Sequence, residues 1–398
     1  MALKVLVIGS VYPRFHEDAE VPWLRASVSH LKKAGVDVQV LAPAYKGLGS
    51  HEIDGTLVHR FRYAHKDLDI LTHEEGAPTK MAQKPWLQLL AIPYIISGFF
   101  KCFWICLKFR PSIIHAHWPF PHAFIALGAS KILHIPLALN FHGAELLLIR
   151  KKKWVRPFLK FAIGRAQAIF ANSSFTAKKI TDIRKANVEW SPYGTTLSSD
   201  YACEPHKLTD KFKILFVGRH IERKGIRYLI DSAKYLSKDL FEIRIVGVGD
   251  LTENLKNYAS QISQEHADIV FTGKLSPEEL EREYRNANVF TLPAIIDSKG
   301  DTEGLGVVLI EAMELNLPIV ASNVGGIPDV VVNEASGILV HEKDPEALAN
   351  AFKRLQTSPE LIKKLLEGSR KRISDCFTWE GIIKRQISVY QSITHNRI

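Results

Sequence analysis

Short apolar segments alternate with longer amphipathic segments along most of the chain. Lys4–Ser10 is an almost continuous apolar run, whereas Leu24–Ala34 carries its apolar residues on one helical face and is followed by Gly35. An unbroken apolar run is typical of a parallel strand buried on both faces, and the second pattern has the period of a helix. Strands that alternate with helices predict an α/β fold with doubly wound parallel sheets.

The alternation occurs twice, once on each side of the polar, turn-rich segment Ser191–Asp210, which we interpret as an interdomain linker. We therefore predict two similar Rossmann-like domains, residues 1–195 and 196–376, that face each other across a cleft. The predicted strands after the first are Val36–Leu41, Ile113–His117, Leu137–Phe141, Ala168–Ala171, Val188–Trp190, Phe212–Val217, Phe241–Val246, Ile269–Phe271, Val289–Leu292, Ile319–Ala321 and Ile338–Val340.

One segment departs from this alternation. Trp86–Phe109 is almost wholly apolar and long enough to cross a bilayer, but Pro93, Gly98 and Lys101 interrupt it. We favour a helix with one face on the core and one face toward a membrane surface. A fully buried helix and a true membrane span are the alternatives.

Composition narrows the classes of partner and compartment. The net charge of +10 favours acidic partners, namely nucleic acid, anionic lipid or phosphorylated substrates. The four cysteines lack zinc spacing, so we interpret them as reduced thiols. Because Met1–Ser10 lacks the architecture of a signal peptide, we expect a cytoplasmic protein.

The segment Glu303–Glu311 contains the most informative pair of residues. Its two carboxylates are eight positions apart, around a glycine-rich entry to a predicted helix. A helix start offers free N–H groups to anions, so this arrangement suits a ligand with hydroxyl groups at both ends and phosphates between them, such as a nucleotide sugar. The alternative is that Glu311 is an ordinary surface residue and Glu303 a first-turn glutamate.

Cations and glycines follow the strands of the second half. Gly218 and Arg219 follow one strand, and Lys224 lies five positions after Arg219, so the two cations are candidates for binding one diphosphate. Two solvated surface cations are the alternative. The next strands end at Gly247 and Gly249, a weak nucleotide-binding signal, and at the segment 271–275, which contains Lys274 and Leu275.

Histidines end two strands of the first half. His117 and His142 both lie at predicted strand ends, where a side chain can hydrogen-bond a reacting sugar or a leaving phosphate, although a lone histidine is more often structural. Asp67-Leu68-Asp69 has the spacing of a divalent-cation motif but lies in an irregular polar stretch. We therefore predict no metal site and no cofactor.

Together these motifs resemble the retaining glycosyltransferases of family 4, which adopt the two-domain GT-B fold. The matching residues are Gly218-Arg219 with Lys224-Gly225, the segment 246–250, Phe271-Thr272-Gly273, the two glutamates, the segment 318–326, and, more loosely, His115-Ala116-His117, His142-Gly143 and 171–173.

The resemblance implies a role for each of these groups. Arg219 and Lys224 would hold the diphosphate, Glu311 the ribose and Glu303 the donor sugar, with His117 at the reacting face. The residues Gly304, Leu305 and Gly306 would offer backbone amides to the sugar and phosphate. The last helix, within 377–398, would cross back onto the first domain.

The first strand-to-helix loop departs from the family pattern. Many relatives carry a glycine pair there, whereas this chain has the segment 10–18. Arg14, His16 or Asp18 are candidates to replace that donor contact, or the loop serves the acceptor. The usual Asn-Gly after the last strand of the first domain is Tyr193-Gly194 here.

The sequence thus predicts a metal-independent retaining hexosyltransferase on the inner face of a membrane. It would move a sugar from a nucleoside diphosphate donor, with UDP favoured and GDP-mannose as an alternative, to a lipid-linked or polysaccharide acceptor in cell-surface glycan synthesis. The rival interpretations are a nucleotide-sugar epimerase on the same fold and a basic nucleic-acid-binding protein. We find no nucleic-acid-binding motif.

Overall fold

A computed structural model describes residues 3–18, 20–74, 76–195 and 211–395, with Pro78, Thr79, Arg150 and Lys151 described by their backbone only. The chain forms two compact units. Unit 1 comprises Met1–Tyr193 and Trp379–Ile398, and unit 2 comprises Gly194–Thr378. Cys203 and most of the predicted linker lie outside the described residues.

Unit 1 contains eight strands and eight helices among the residues described. The strands are β1 Lys4–Ile8, β2 Asp37–Pro43, β3 His51–Ile53, β4 Thr56–Phe61, β5 Ile113–His117, β6 Leu137–Phe141, β7 Ala168–Ala171 and β8 Glu189–Trp190. The helices are α1 Pro22–Lys33, α2 Ala77–Gln83, α3 Ala91–Phe109, α4 Pro119–Ile132, α5 Ala144–Lys151, α6 Val155–Ile163, α7 Ser174–Thr181 and, at the end of the chain, α15 Trp379–His395. A 3₁₀ helix at Pro85–Leu90 precedes α3.

The strands of unit 1 form one sheet in the order β3-β4-β2-β1-β5-β6-β7-β8. All neighbours are parallel except β3 and β4, which form an antiparallel hairpin. Helices cover both faces, and α15 packs beside α1. The buried Tyr390 of α15 places its hydroxyl 2.6 Å from Nδ1 of His115 in β5.

Unit 2 repeats the architecture with six parallel strands. These are β9 Phe212–Val217, β10 Phe241–Val246, β11 Asp268–Gly273, β12 Val289–Leu292, β13 Ile319–Ser322 and β14 Ile338–Val340, in the order β11-β10-β9-β12-β13-β14. The helices are α8 Ile226–Ser232, α9 Thr252–Ile262, α10 Pro277–Asn286, α11 Val307–Glu314, α12 Ile327–Val330, α13 Pro345–Thr357 and α14 Pro359–Arg372, with 3₁₀ helices at Glu222–Lys224 and Ala233–Tyr235 and a π-helical turn at Ile373–Phe377.

The structure confirms the prediction of two α/β domains with parallel sheets. In each sheet the chain order reverses beside the first strand of the unit, between β1 and β5 in unit 1 and between β9 and β12 in unit 2. Ligands of open α/β sheets bind at such a switch point, beyond the carboxyl ends of the strands. The two switch points therefore define where each unit is expected to bind.

Helix α3 has one buried and one exposed face. Tyr94, Gly98, Cys102 and Ile105 are buried. The opposite face, continued by Leu89 of the preceding 3₁₀ helix, carries apolar side chains that are all more than 40% exposed: Ile92, Ile96, Phe100, Trp104 and Leu107. Pro85–Phe109 is long and apolar enough to cross a membrane, and only 28% of its most apolar stretch is buried. The fully buried alternative is therefore wrong.

Candidate functional site

The loop that follows β9 carries a buried ion pair with a residue that follows β12. Nζ of Lys224 lies 2.6 Å from Oε2 of Glu303, and Nη1 of Arg223 lies 3.1 Å from the same oxygen. Lys224 and Glu303 are each only 9% exposed. This cluster, Arg223, Lys224 and Glu303, lies at the β9–β12 switch point, because Glu303 follows β12. We call it the cation–carboxylate cluster.

Two glycines allow the loops to come this close. Gly225 has φ of +66°, and a Cβ there would lie 1.8 Å from the carbonyl oxygen of Pro293, just after β12. Gly325 has φ of +59°, and its Cβ would lie 2.1 Å from the carbonyl oxygen of Glu303, which also accepts the N–H of Gly326 at 3.0 Å. Any side chain at either position would separate the loops and misplace Glu303.

The two glutamates have opposite electrostatic environments. Burial by itself would raise the pKa of Glu303, but Lys224 and Arg223 outweigh burial and lower this pKa to about 2. Burial raises the pKa of Glu311, an effect that Tyr284 and Lys224 oppose only in part. Glu303 is thus a firmly ionised carboxylate, while Glu311 lies on α11 within the electrostatic reach of the same lysine.

The other predicted site residues of unit 2 differ from this cluster in their exposure to solvent. Arg219 and Lys274 are exposed, Leu275 is half-buried and Leu305 is buried in the core. Gly304 and Gly306 belong to the turn before α11. The spacing of the sequence predicts a pair of Lys224 and Arg219 and gives no sign of Arg223, which lies against Glu303 in the structure.

The glycines after β9 and β10 serve packing. A Cβ at Gly247 would lie 2.1 Å from the carbonyl oxygen of Gly218, and one at Gly249 would lie 2.5 Å from that of His220. A side chain at Gly247 or Gly249 would therefore force the ends of β9 and β10 apart. Close packing explains these two glycines without a ligand, and the donor contacts expected of Gly218, Gly247 and Gly249 stay a prediction.

In unit 1, His117 ends β5 beside the β1–β5 switch point. Its Nδ1 lies 3.1 Å from Nε2 of His142, and Nδ1 of His142 lies 2.6 Å from the hydroxyl of Tyr193. The Trp23 ring packs on His142 and Tyr193, with centroid separations of 4.6 Å for each. The structure thus brings His117 and His142 together and adds Tyr193, whose side-chain contact the sequence did not reveal.

Four histidines form a cluster here, which we call the histidine cluster: the buried His115, His117 and His122 and the half-buried His142. Burial lowers the pKa of His115 and His142 to about 3 and that of His122 to about 4, and burial together with the neighbouring histidines lowers the pKa of His117 well below its usual value. All four rings are therefore neutral near pH 7. Nδ1 of His122 donates to the carbonyl oxygens of His117 and Trp118, at 2.8 and 2.9 Å.

Glu145 of α5 is an unpredicted carboxylate next to this cluster. It accepts the backbone N–H of His142 at 2.8 Å. Burial raises its pKa to about 7, which backbone hydrogen bonds oppose only in part. Its position in the first turn of α5, two residues after Gly143, was the available signal in the sequence.

The candidate residues of the first loop have partners within unit 1. Arg14 donates to Asp18 at 2.7 and 3.1 Å, and Asp18 is buried. The exposed His16 lies 3.1 Å from a carboxylate oxygen of Asp54. The buried Arg60 donates to the carbonyl oxygens of Tyr12 and Pro13, which fixes the loop from beneath.

The Asp-x-Asp sequence has a structural explanation. Asp69 is fully buried, accepts the N–H groups of Tyr63 and Ala64 at 3.3 and 3.0 Å and pairs with Arg62. It therefore holds the turn after β4. Across the described ranges of the chain, no group of three or more histidine, cysteine, aspartate and glutamate side chains is arranged to hold a metal ion.

Comparison with known proteins decides the family. A family model for "Glycosyl transferases group 1" matches residues 203–372, and one for "Glycosyltransferase Family 4" matches residues 24–197. The amylovoran biosynthesis glycosyltransferase AmsK of Erwinia amylovora is 32% identical over 400 residues, which cover 91% of this chain and 93% of AmsK. The chain belongs to the family 4 glycosyltransferases. The resemblance inferred from the motifs is thereby confirmed.

Solved structures support the fold of this glycosyltransferase. A sucrose-phosphate synthase from Thermosynechococcus elongatus superimposes with a TM-score of 0.75 at 19% identity, covering 99% of this chain and 100% of that one. HepE from Anabaena, in complex with UDP and glucose, gives a TM-score of 0.67 at 15% identity over 98% and 100% of the two chains. At these identities the likeness concerns the GT-B fold alone.

Proposed function

We propose that this glycosyltransferase is a retaining enzyme that transfers a hexose-type sugar from a nucleoside diphosphate donor, preferably UDP, to a lipid-linked or polysaccharide acceptor in cell-surface glycan synthesis. The cation–carboxylate cluster is the observation that carries the proposal. It joins two cations to an ionised carboxylate at the switch point of unit 2, where a nucleotide sugar requires both kinds of group.

Each group of the donor site has a role in this proposal. Lys224, with the exposed Arg219, neutralises the diphosphate as negative charge develops on it, so no metal ion is required. Glu303, whose pKa is about 2, accepts hydrogen bonds from sugar hydroxyls, and Glu311 accepts those of the ribose. GDP-mannose is the alternative donor. UDP is preferred partly because the HepE structure, which shares this fold, contains UDP and glucose.

The electrostatics of Glu303 favour displacement on one face of the sugar. A carboxylate held by two cations is a weak nucleophile, because both cations stabilise its lone pairs. We therefore propose that the bond from the anomeric carbon to the leaving phosphate breaks while the acceptor oxygen forms its bond on the same face. The acceptor proton passes to the leaving phosphate oxygen, and His117 contacts the sugar at this face.

The exposed face of α3 supports a peripheral site on an anionic membrane. Its apolar side chains have a basic rim, since Nζ of Lys101 and of Lys108 lie 4.7 and 4.4 Å from the Trp104 ring centroid. Lys152, Lys153 and Trp154 are also exposed. An apolar stripe with basic neighbours suits the headgroup region of an anionic bilayer, where a lipid-linked acceptor would be found.

Calorimetry with UDP-glucose, GDP-mannose and ADP-glucose tests the donor assignment. We expect saturable binding of one donor class, which Lys224→Ala weakens and Lys256→Ala leaves unchanged. Lys256 is the matched control because its ion pair, 3.1 Å from Glu253, lies on the exposed face of α9. If none of the nucleotide sugars binds to folded protein, or if both lysine variants bind like wild type, the proposal is wrong.

A further inference from the structure

Three side chains form one hydrogen-bonded chain in unit 1. It runs from the hydroxyl of Tyr193, through both ring nitrogens of His142, to Nδ1 of His117, with separations of 2.6 and 3.1 Å. Tyr193 is held in place by Trp23, whose ring stacks on it at an angle of 30°. Nε2 of His117 is the ring nitrogen outside this chain.

Asn140 determines which ring nitrogen of His142 donates and which one accepts. Its amide nitrogen lies 3.1 Å from Nε2 of His142, and an amide nitrogen can only donate. Nε2 of His142 is therefore an acceptor. A neutral imidazole has one N–H, so the proton of His142 is on Nδ1 and is donated to the oxygen of Tyr193.

The same reasoning fixes His117. Its Nδ1 faces Nε2 of His142, which already acts as an acceptor, so Nδ1 of His117 must carry the proton. Nε2 of His117 then has a free lone pair. Burial keeps both rings neutral by lowering the pKa of each histidine. The pattern is self-consistent only while an acceptor for the N–H of His142 is present.

We propose that Tyr193 is a positioning residue that acts through His142 to hold His117 in the tautomer whose Nε2 accepts a hydrogen bond. The ligand group matched to that lone pair is a sugar hydroxyl, an assignment that rests on the proposed function. The assignment of the His117 tautomer does not rest on the proposed function. This protein has Tyr193 where the family pattern has asparagine, so the positioning contact depends on a residue in which this sequence departs from the family.

Tyr193→Phe is the direct test because phenylalanine keeps the stacking on Trp23 and removes only the hydroxyl, which accepts from His142 and also from Nδ2 of Asn172 at 3.4 Å. The N–H of His142 would then lose its acceptor, and moving the proton to Nε2 would oppose the donors of Asn140 and His117. Tyr390→Phe is the matched control. Its hydroxyl is also 2.6 Å from a histidine of the histidine cluster, but that histidine is His115, which is not part of the hydrogen-bonded chain from Tyr193 to His117.

Imidazole ¹⁵N spectra of the whole protein report the tautomers. In wild type we expect His117 and His142 both to carry the proton on Nδ1. In Tyr193→Phe the signals of both rings should move toward those of a mixture of the Nδ1–H and Nε2–H tautomers. In Tyr390→Phe neither ring should change. A wild-type spectrum with the proton of His117 on Nε2 would overturn the proposal, whether or not any variant folds. Identical His117 signals in wild type and Tyr193→Phe would also overturn it.

Kinetics separates this role from a purely structural one. With the best donor, Tyr193→Phe should lower kcat about tenfold, as expected for the loss of one oriented hydrogen bond, and leave the dissociation constant for UDP unchanged. Tyr390→Phe should keep the wild-type kcat. Equal kcat values for wild type and Tyr193→Phe would contradict the positioning role. Absence of transfer in wild type would count against the proposed function only, since the spectra decide the tautomer independently.

Discussion

Lys224 and Glu303 form a buried ion pair, 2.6 Å between Nζ and Oε2, that joins the loop after the first strand of unit 2 to the loop before α11. Arg223 reinforces it at 3.1 Å. The residues are 79 positions apart in the chain, yet the parallel sheet brings both to the same edge. A diphosphate bound at this edge would meet a lysine whose position is already fixed.

Replacing Lys224 by alanine should weaken donor binding. The lost charge-assisted contact is worth about 1.5–3 kcal/mol, or roughly a tenfold to more than hundredfold loss in donor affinity or rate. Stability should also fall, because Glu303 loses its nearest cation. Arg219→Ala should weaken the donor without this loss, since Arg219 is exposed. Calorimetry measures the loss of donor affinity, and urea unfolding measures the loss of stability. Donor binding and turnover equal to wild type in both variants would contradict the assignment of the donor site.

The two glutamates should be separable by ligand. If Glu311 holds the ribose, Glu311→Gln weakens free UDP and the nucleotide sugar alike. If Glu303 contacts only the sugar, Glu303→Gln spares free UDP and lowers transfer. Calorimetry with both ligands decides this, and equal weakening of free UDP by the two substitutions would rule out the division of roles.

The histidine cluster should make stability depend on pH. Each of these histidines has a folded-state pKa below the ordinary histidine pKa of about 6.5, so the unfolded chain binds more protons and the free energy of unfolding falls as pH drops below about 6.5. Each contributes a slope of up to about 1.4 kcal/mol per pH unit. Glu145 acts in the opposite direction between pH 4.5, the ordinary pKa of a glutamate, and about pH 7, its pKa in the folded protein.

Urea unfolding across this range measures the slope. His115→Asn removes one titrating ring whose pKa is about 3, and it should make the slope shallower by up to one proton. Because Glu145 opposes the histidines in this range, the comparison with the variant decides: equal slopes for wild type and His115→Asn between about pH 7 and about pH 5 would show that the ring of His115 is not held neutral.

Wild-type protein should co-sediment with anionic vesicles at low salt, and more weakly as salt screens the charges. Changing Lys151, Lys152 and Lys153 to alanine should reduce binding further. Phe100→Ser removes a side chain that is 67% exposed on α3, and it should weaken the binding that persists at high salt. Leu240→Ser, at a 48% exposed position of unit 2, is the control. Wild-type protein that stays in the supernatant at low salt would refute the membrane proposal.

Apolar periodicity was enough to predict the parallel sheets, because a strand buried on both faces differs in composition from the helices around it. It missed β3, which has only three residues, and β4, which is mostly buried but includes the polar residues His59 and Arg60. The local signal was Asp54-Gly55, which connects them with φ of +50° and +66°. Two positive φ values are those of a two-residue hairpin turn, for which Asp-Gly is a preferred pair.

The site was predictable in its residue types and less so in its pairings. Glu303 and Lys224 were identified from spacing, but Arg223 looks like any surface cation in the sequence, and only the path of its loop brings it to Glu303. His117 and His142 were identified from their places at strand ends. Tyr193 was noted only as a departure from the family, because its contact depends on how the chain returns beside β7.

The placement of α15 in unit 1 has a consequence for synthesis on the ribosome. Unit 2 is one continuous stretch, whereas unit 1 consists of two stretches separated by all of unit 2. The nascent chain can therefore complete unit 2 while the surface of unit 1 that receives Trp379, Ile383 and Tyr390 is still uncovered. The first domain to be translated is the last to be finished, and until then His115 lacks its contact with Tyr390.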